Sequence, residues 1–403
     1  MRIAMVSKLV SAPVTADGIG AGGQTRHVTG LAAALAELGH DVRIYTRRES
    51  PDPPKIHRLP SGVEVVTVTA GPAEPAGEEE LLRHSKPFGE GLAAAWAGDW
   101  APDLIHAHYW TGGLAAMVAS RQRPVPVALT YHELGAIKRR VLGDRYTSPA
   151  CRIGMERELG RAADCVVSQC EAETQELLRL GVPRGRIVTV PSGVDPTRFA
   201  PSDLSAVDRG NPARIIAVGT AGRFSERKGL VDAIRALRLV PHAEMVIVGG
   251  PPTGELDRDP RARQLRAVAE GSGVSDRVRL VGAVPLVEMP TWYRSADLLA
   301  CSSWYEPFGI TAVEGMASGV PVVATSVGGF PDTVVDGLTG VLVPPQNPTA
   351  LGRAMRGVLT NPMRRMAYAT AGLDRARQCY AWDRIAVRCA GVYGRLCAET
   401  AAA

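Results

Sequence analysis

The sequence predicts an α/β protein built from two doubly wound, Rossmann-like domains that face each other across a cleft. Three observations predict it. The chain has 403 residues, too many for a single core, so two domains of about 200 residues each are expected. A strand–loop–helix–strand rhythm, the opening of a parallel sheet, runs from the N-terminus and starts again at residue 214. Between the two runs lies "VPSGVDPTRFAPSDLSAVDRGNP" (190–212), whose Pro, Gly, Ser and Asp content reads as an interdomain connection.

The elements follow in order. "RIAMVS" (2–7) is a short aliphatic strand, followed by a loop that ends in Gly22-Gly23. Val28, Leu31, Ala32, Leu35 and Leu38 then fall on one stripe of a helix, which Gly39 stops. "DVRIYT" (41–46) is the second strand, and "VEVVTV" (63–68), "DLIHAH" (103–108), "PVALTY" (126–131), "CVVSQ" (165–169) and "IVTV" (187–190) extend the sheet. In the second half, the strand opening at 214 leads through a glycine-containing loop and a helix to "EMVIVGG" (244–250). "RVRLVG" (277–282), "DLLACS" (297–302) and "PVVAT" (321–325) continue it, and "CYAWDRIAVRCAGVYGRLC" near the end has helical apolar spacing.

Composition narrows the class. Apolar residues at 45% and charged residues at 22% are ordinary for a globular chain and argue against disorder. A net charge of +5 is modest, and without an aromatic-rich basic stripe it gives no reason to expect nucleic acid as a partner. Seven cysteines, an odd number without C-x-x-C spacing, fit reduced thiols better than disulfides or a zinc site. The first apolar run is too short for a signal peptide or a membrane span, so a cytoplasmic enzyme with small-molecule substrates is expected, with a homodimer left open.

In doubly wound sheets ligands bind outside the carboxyl ends of the strands, where the loops gather. The loop "GTAGRFSERKGL" carries Arg223 and Lys228 ahead of a helix expected near Gly229 or Leu230, a place suited to an anion. Solvated surface cations are the ordinary alternative, and the loop position favours a site. Neither G-x-G-x-x-G nor G-x-x-x-x-G-K-[ST] is present, which disfavours a nicotinamide fold and a P-loop. Downstream, "EPFGITAVEGMASG" places two acids, Glu306 and Glu314, among small residues that let the backbone of Gly309, Ile310 and Thr311 approach a ligand. Glu314, one turn into that helix, is suited to a vicinal diol such as a ribose, and Glu306 lies on the loop before it. In the first half, His132 follows a strand directly and so sits at a carboxyl end. His106 reads as a core histidine, Tyr109 as a ligand contact, and Lys138 and Arg152 lie on the same side. Gly22-Gly23 is a turn or a close approach to a ligand.

These segments together resemble the large retaining glycosyltransferase family GT4, whose GT-B fold has two Rossmann-like domains. The resemblance covers nearly the whole chain. It is carried by "GAGGQTRHV", "HAHYW", "TYHELGAIKRR", "VPSGVD", "GRFSERKG" and "EPFGITAVEGMASGVPVVATSVGGFPDTVVDGLTGVLV". The N-terminal loop and "HYW" are most similar to the branch containing the inositol-phosphate N-acetylglucosaminyltransferase of mycothiol synthesis and the sucrose-phosphate synthases. The resemblance implies an acceptor-binding domain over 1–195, a nucleotide-sugar-binding domain over 196–378, and a C-terminal helix over 379–403 that crosses back to the first.

It also implies roles, position by position. Arg223 and Lys228 would hold the donor diphosphate, Glu314 the ribose, and Glu306 the sugar near its anomeric carbon. The backbone from Phe308 through Gly309 and Ile310 to Thr311 would cradle sugar and phosphate. Gly23 would lie near the diphosphate or the acceptor, and His132 would touch the donor sugar. Catalysis would rest on Glu306, His132, Arg223 and Lys228, without a metal ion or other cofactor, the substrate being a nucleotide-sugar of the UDP type. Relatives with a phosphorylated acceptor grip its phosphate with a Lys, a Tyr and an Arg, matched here by Lys86, Tyr109 and Arg152. One departure stands out. After the His of the "T-x-H" element those relatives have a small hydroxyl residue, and this chain has Glu133. A carboxylate there repels an acceptor phosphate, so an unphosphorylated polyol, cyclitol or sugar acceptor is expected. A nucleotide-sugar 2-epimerase, or a non-catalytic nucleotide-sugar-binding protein, is the alternative.

Overall fold

The protein is described by a computed structural model covering residues 1–7, 22–51, 54–201 and 212–402. The loop after the first strand and most of the expected interdomain connection therefore lie outside the described residues. The chain divides into two compact units. The first holds most of the chain up to Ser192 together with Trp382–Ala403, and the second holds Gly193–Ala381.

Unit 1 contains eight strands: β1 (Arg2–Val6), β2 (Asp41–Arg47), β3 (Ile56–Arg58), β4 (Glu64–Val68), β5 (Leu104–His108), β6 (Val127–Thr130), β7 (Cys165–Ser168) and β8 (Ile187–Thr189). Their order in the sheet is β3-β4-β2-β1-β5-β6-β7-β8, parallel throughout except for the antiparallel β3–β4 pair. The run of aliphatic residues in β1 follows from burial on both faces. Ala4 and Val6 enter one core with Ile105 and Leu129, while Ile3 and Met5 enter another with Leu31, Leu35 and Ala128. That second core is completed from the far end of the sequence. The helix Trp382–Ala402 contributes Ile385, Ala386, Cys389, Val392, Tyr393 and Leu396 to it. Gly30 on the helix Gly23–Glu37 makes room for this, since a Cβ there would lie 2.4 Å from the Trp382 indole.

Unit 2 contains β9 (Ala213–Ala221), β10 (Ala243–Gly250), β11 (Val278–Gly282), β12 (Leu298–Cys301), β13 (Val322–Thr325) and β14 (Gly340–Val343). They form a six-stranded parallel sheet in the order β11-β10-β9-β12-β13-β14. In both sheets the order reverses beside the first strand, between β1 and β5 and between β9 and β12. A crevice opens at the carboxyl ends at such points.

Most strands lie within a residue or two of their expected positions. Two differ. The three-residue edge strand β3 is mostly exposed and lacks an apolar pattern, and β14 follows a turn in which Gly337 takes φ 74°. Among the described residues no helix is long and apolar enough to cross a membrane, and no two of the seven cysteines are bridged.

Candidate active site

In unit 2 the chain leaves β9 through a turn bridging Thr220 and Arg223, buries Phe224, and makes one 3-10 turn over Glu226–Lys228. Gly229 then adopts the left-handed conformation (φ 62°) and starts the helix Leu230–Ala236. Arg223 is exposed on the turn. Lys228 is not left to solvent: its Nζ donates to Glu306 Oε2 at 2.7 Å. Ser303 Oγ donates to the same oxygen at 3.1 Å, and Arg227 Nη1 lies 3.6 Å from it. The backbones are strapped together as well. Trp304 N donates to Arg227 O, Ser302 Oγ to Lys228 O, and Arg227 Nη1 to Tyr305 O. Burial alone would push the Glu306 carboxyl up, but Lys228 and Arg227 outweigh it and hold it below the usual carboxylate range. Glu306 is therefore an anion at neutral pH.

The loop after Glu306 is clasped from behind by Gly328 and Gly329. A Cβ on Gly328 (φ 52°) would lie 1.8 Å from Glu306 O, and one on Gly329 would lie 2.2 Å from Phe308 O. Only glycines permit this approach. Gly309 (φ 95°) turns the chain into the helix Ile310–Ala317, with Phe308 and Thr311 buried behind it. Glu314, 2% exposed, is oriented by Tyr293, whose hydroxyl donates to Oε2 at 2.8 Å. The structure thus brings Lys228 and Glu306 into direct contact and places Gly309, Ile310, Thr311 and Glu314 on the next element. Sequence reasoning missed Arg227, Ser303 and Tyr293. Arg227 was legible as a third cation in "SERKG".

In unit 1, β5 ends in His108, and His132 follows two residues after the end of β6. His108 and His132 are 3.0 Å apart (Nδ1 to Nε2), and His27 comes up from the helix Gly23–Glu37 between them. Tyr109 (φ 70°) and His132 (φ 64°) take positive φ without being glycine, a strained conformation that clusters at functional sites. His106 is buried between Thr130 Oγ1 (2.9 Å) and Tyr393 OH (2.7 Å), as a core histidine should be. His27 Nδ1 meets Ser192 Oγ and Gln169 Nε2. His27, His108 and His132 each bring a ring nitrogen within 4.8 Å of the others, a donor set that suits a metal ion as well as hydrogen bonds.

Burial pushes His27 and His106 down to about 3, and burial with neighbouring imidazoles holds His108 and His132 well below the ordinary value. All four are neutral at pH 7. Unfolded, they take up protons near pH 6.5, so their contribution to stability is full above that value and is lost as pH falls towards 3. Burial raises the Glu156 and Glu173 carboxyls to about 7, which acts in the opposite sense. The informative quantity is therefore a difference. Between pH 6.5 and 5, His27→Gln is expected to lose less stability than the wild type, by about 1–2 kcal/mol. Chemical denaturation at both pH values checks this, and equal losses refute it.

The acceptor candidates form one charged group, with one exception. Arg152, 0% exposed, stacks its guanidinium 5.0 Å from the Tyr109 ring centroid. Lys138 Nζ donates to Glu133 Oε1 at 2.9 Å, and Arg152 Nη1 lies 3.4 Å from that oxygen. Lys86 is not in this group. It is exposed on the helix Ser85–Ala95, with its Nζ 3.8 Å from Glu90. The side chain that reaches Tyr109 and Arg152 is instead an acid, Glu78, from the first turn of the helix Glu78–Arg83. Gly23 begins its helix with open space around its missing Cβ, so packing gives no reason for a glycine there.

The family model described as "Glycosyl transferases group 1" matches residues 209–375, and "Glycosyl transferase 4-like domain" matches 22–193. The chain is similar to a D-inositol 3-phosphate glycosyltransferase of Catenulispora acidiphila, 35% identical over 97% of this chain and 95% of that one. A protein of the same name from Streptomyces bingchenggensis is 34% identical over 97% of this chain and 89% of that one. Among solved structures it is similar to sucrose-phosphate synthase from Thermosynechococcus elongatus, with a TM-score of 0.88, 29% identity, and coverage of 99% of this chain and 100% of that one.

Proposed function

The chain belongs to the group 1 glycosyl transferases, and from that premise we propose that it moves a sugar from a UDP-sugar, with retention of configuration, to a hydroxyl of a small unphosphorylated polyol, cyclitol or sugar. The observation that carries this reading is the half-buried Lys228–Glu306 pair, strapped beside a glycine-lined loop that opens onto Glu314.

The bond to be broken joins an anomeric carbon to a diphosphate, and negative charge grows on the leaving phosphate in an oxocarbenium-like transition state. Fixed cations that meet this charge stabilise the transition state more than the ground state, which is catalysis. Lys228 and Arg223 take that role in our reading, with Arg227 behind them, so no metal ion is required. Glu314 takes the ribose hydroxyls, and the backbone from Phe308 to Thr311 takes sugar and phosphate. Glu306 orients the sugar and is not a covalent nucleophile, because Lys228 and Ser303 both bind Oε2 and lower its basicity. The leaving phosphate accepts the acceptor's proton as the new bond forms on the same face. His132, uncharged, contributes a hydrogen bond to the sugar.

Calorimetry with UDP-, GDP-, ADP- and dTDP-sugars in EDTA tests this. The UDP-sugar is expected to bind, and Glu314→Gln to weaken it about tenfold, roughly 1.4 kcal/mol. No binding of any nucleotide-sugar, or an unchanged Kd in the variant, refutes the reading.

A further inference from the structure

We infer that Glu78 is a specificity-determining residue which, with Glu133, occupies the cations of the acceptor site and makes it refuse anionic acceptors in favour of amine-bearing or neutral ones. The inference rests on the glycosyl-transfer reading above and deepens it.

Arg152 carries the argument. A cation meant for a ligand keeps N–H groups facing outward, and this guanidinium has each of its three nitrogens engaged by the protein. Nε donates to Glu156 Oε1 at 2.7 Å, and Nη2 donates to the Glu133 carbonyl at 3.0 Å. Nη1 faces Glu78 Oε1 at 3.2 Å and Glu133 Oε1 at 3.4 Å. Lys138 is held in the same way, 2.9 Å from Glu133 and 3.6 Å from Glu78. Tyr109, a third expected contact, donates its hydroxyl to Glu78 Oε1 at 2.7 Å. One carboxylate, Glu78, thus meets Arg152, Lys138 and Tyr109 together, where an acceptor phosphate would need them. A phosphate arriving here must displace Glu78 or lie against it and Glu133, and like charges at such distances repel strongly where water is scarce. An ammonium finds two carboxylates already in place, and a neutral ring meets no repulsion. The relatives named for inositol 3-phosphate act on a dianion, so the acids at 78 and 133 separate this chain from that substrate.

The test uses three cyclitols of one ring size and different charge, inosamine, myo-inositol and inositol 3-phosphate, with the donor that binds best. Inosamine is expected to give the highest kcat/KM and inositol 3-phosphate one at least tenfold lower than myo-inositol. Glu78→Gln is expected to narrow the inosamine preference severalfold through acceptor KM, leaving donor KM unchanged. Glu78→Lys combined with Glu133→Thr is expected to raise kcat/KM for inositol 3-phosphate at least tenfold. A second measurement needs no turnover. Millimolar inorganic phosphate should leave the melting temperature of the wild type unchanged and raise that of the double variant in a saturable way. Inositol 3-phosphate as the best acceptor, or saturable phosphate stabilisation of the wild type that Arg152→Lys removes, overturns the inference. Failure to bind or turn over any donor would instead count against glycosyl transfer, and the phosphate melts would still decide the role of Glu78.

Discussion

Replacing Lys228 with alanine is expected to lower kcat by about a hundredfold or more, the usual loss when one preorganised charge-stabilising donor is removed. The size of the effect follows from its setting. The ammonium lies at the carboxyl end of a parallel sheet, 11% exposed, on a loop whose backbone is bonded to 302–305. In the proposed reaction, a cation held in this way would meet the leaving phosphate without reorganising and so be worth more than a surface lysine. The substitution also strips Glu306 of its closest partner, leaving Arg227 at 3.6 Å and the Ser303 hydroxyl. The carboxyl then loses the main influence that holds it below the ordinary range, and a pH dependence of kcat absent from the wild type should emerge on the acid side. Single-turnover rates across pH, with a thermal melt to show that the variant is folded, check both parts. Turnover near that of the wild type would remove Lys228 from the mechanism.

Gly229→Ala is expected to cost about 3 kcal/mol of stability and at least tenfold in kcat/KM, although no charged group is touched. Two penalties coincide. The left-handed backbone (φ 62°) disfavours any Cβ by about 1–2 kcal/mol. The new methyl would lie 1.9 Å from Ser302 O, an overlap that only a shift of the loop can relieve, at a further 1–3 kcal/mol. That shift moves Lys228, one residue earlier, away from Glu306. The variant thus separates the position of the charge from its presence. Denaturant melts and steady-state kinetics measure the two effects. An alanine variant as stable and active as the wild type would show that the loop is not held as described.

The sheets were legible because a parallel strand buried on both faces is aliphatic along its whole length, and such runs cannot be hidden by context. Lys228 and Glu306 were legible for a related reason. Both lie on loops at carboxyl ends, where the topology gathers ligand contacts whatever the spacing in sequence. What escaped depended on pairings across long stretches of chain. Glu78 sits in "GEEELLR", one of three adjacent acids at the start of an exposed helix, and nothing local separates it from Glu79 or Glu80. It becomes distinct only when Tyr109, 31 residues later, and Arg152, 74 residues later, fold against it. Lys86 was the wrong neighbour for the same reason: its charge was correct and its helix turned it outward. His27 and Tyr293 likewise gain their meaning from partners on other elements.

Unit 1 draws its first strand from the first residues of the chain and one wall of its core from the last. Tyr393, on the terminal helix, reaches back to a histidine nearly three hundred positions earlier. During synthesis, then, unit 1 is completed only after the strands of unit 2 have been made. The strands of unit 2, all between Gly193 and Ala381, leave the ribosome before that wall does. Until it does, the core shared by Ile3, Met5 and Leu31 lacks the apolar side chains of the terminal helix, Ile385, Val392 and Tyr393 among them.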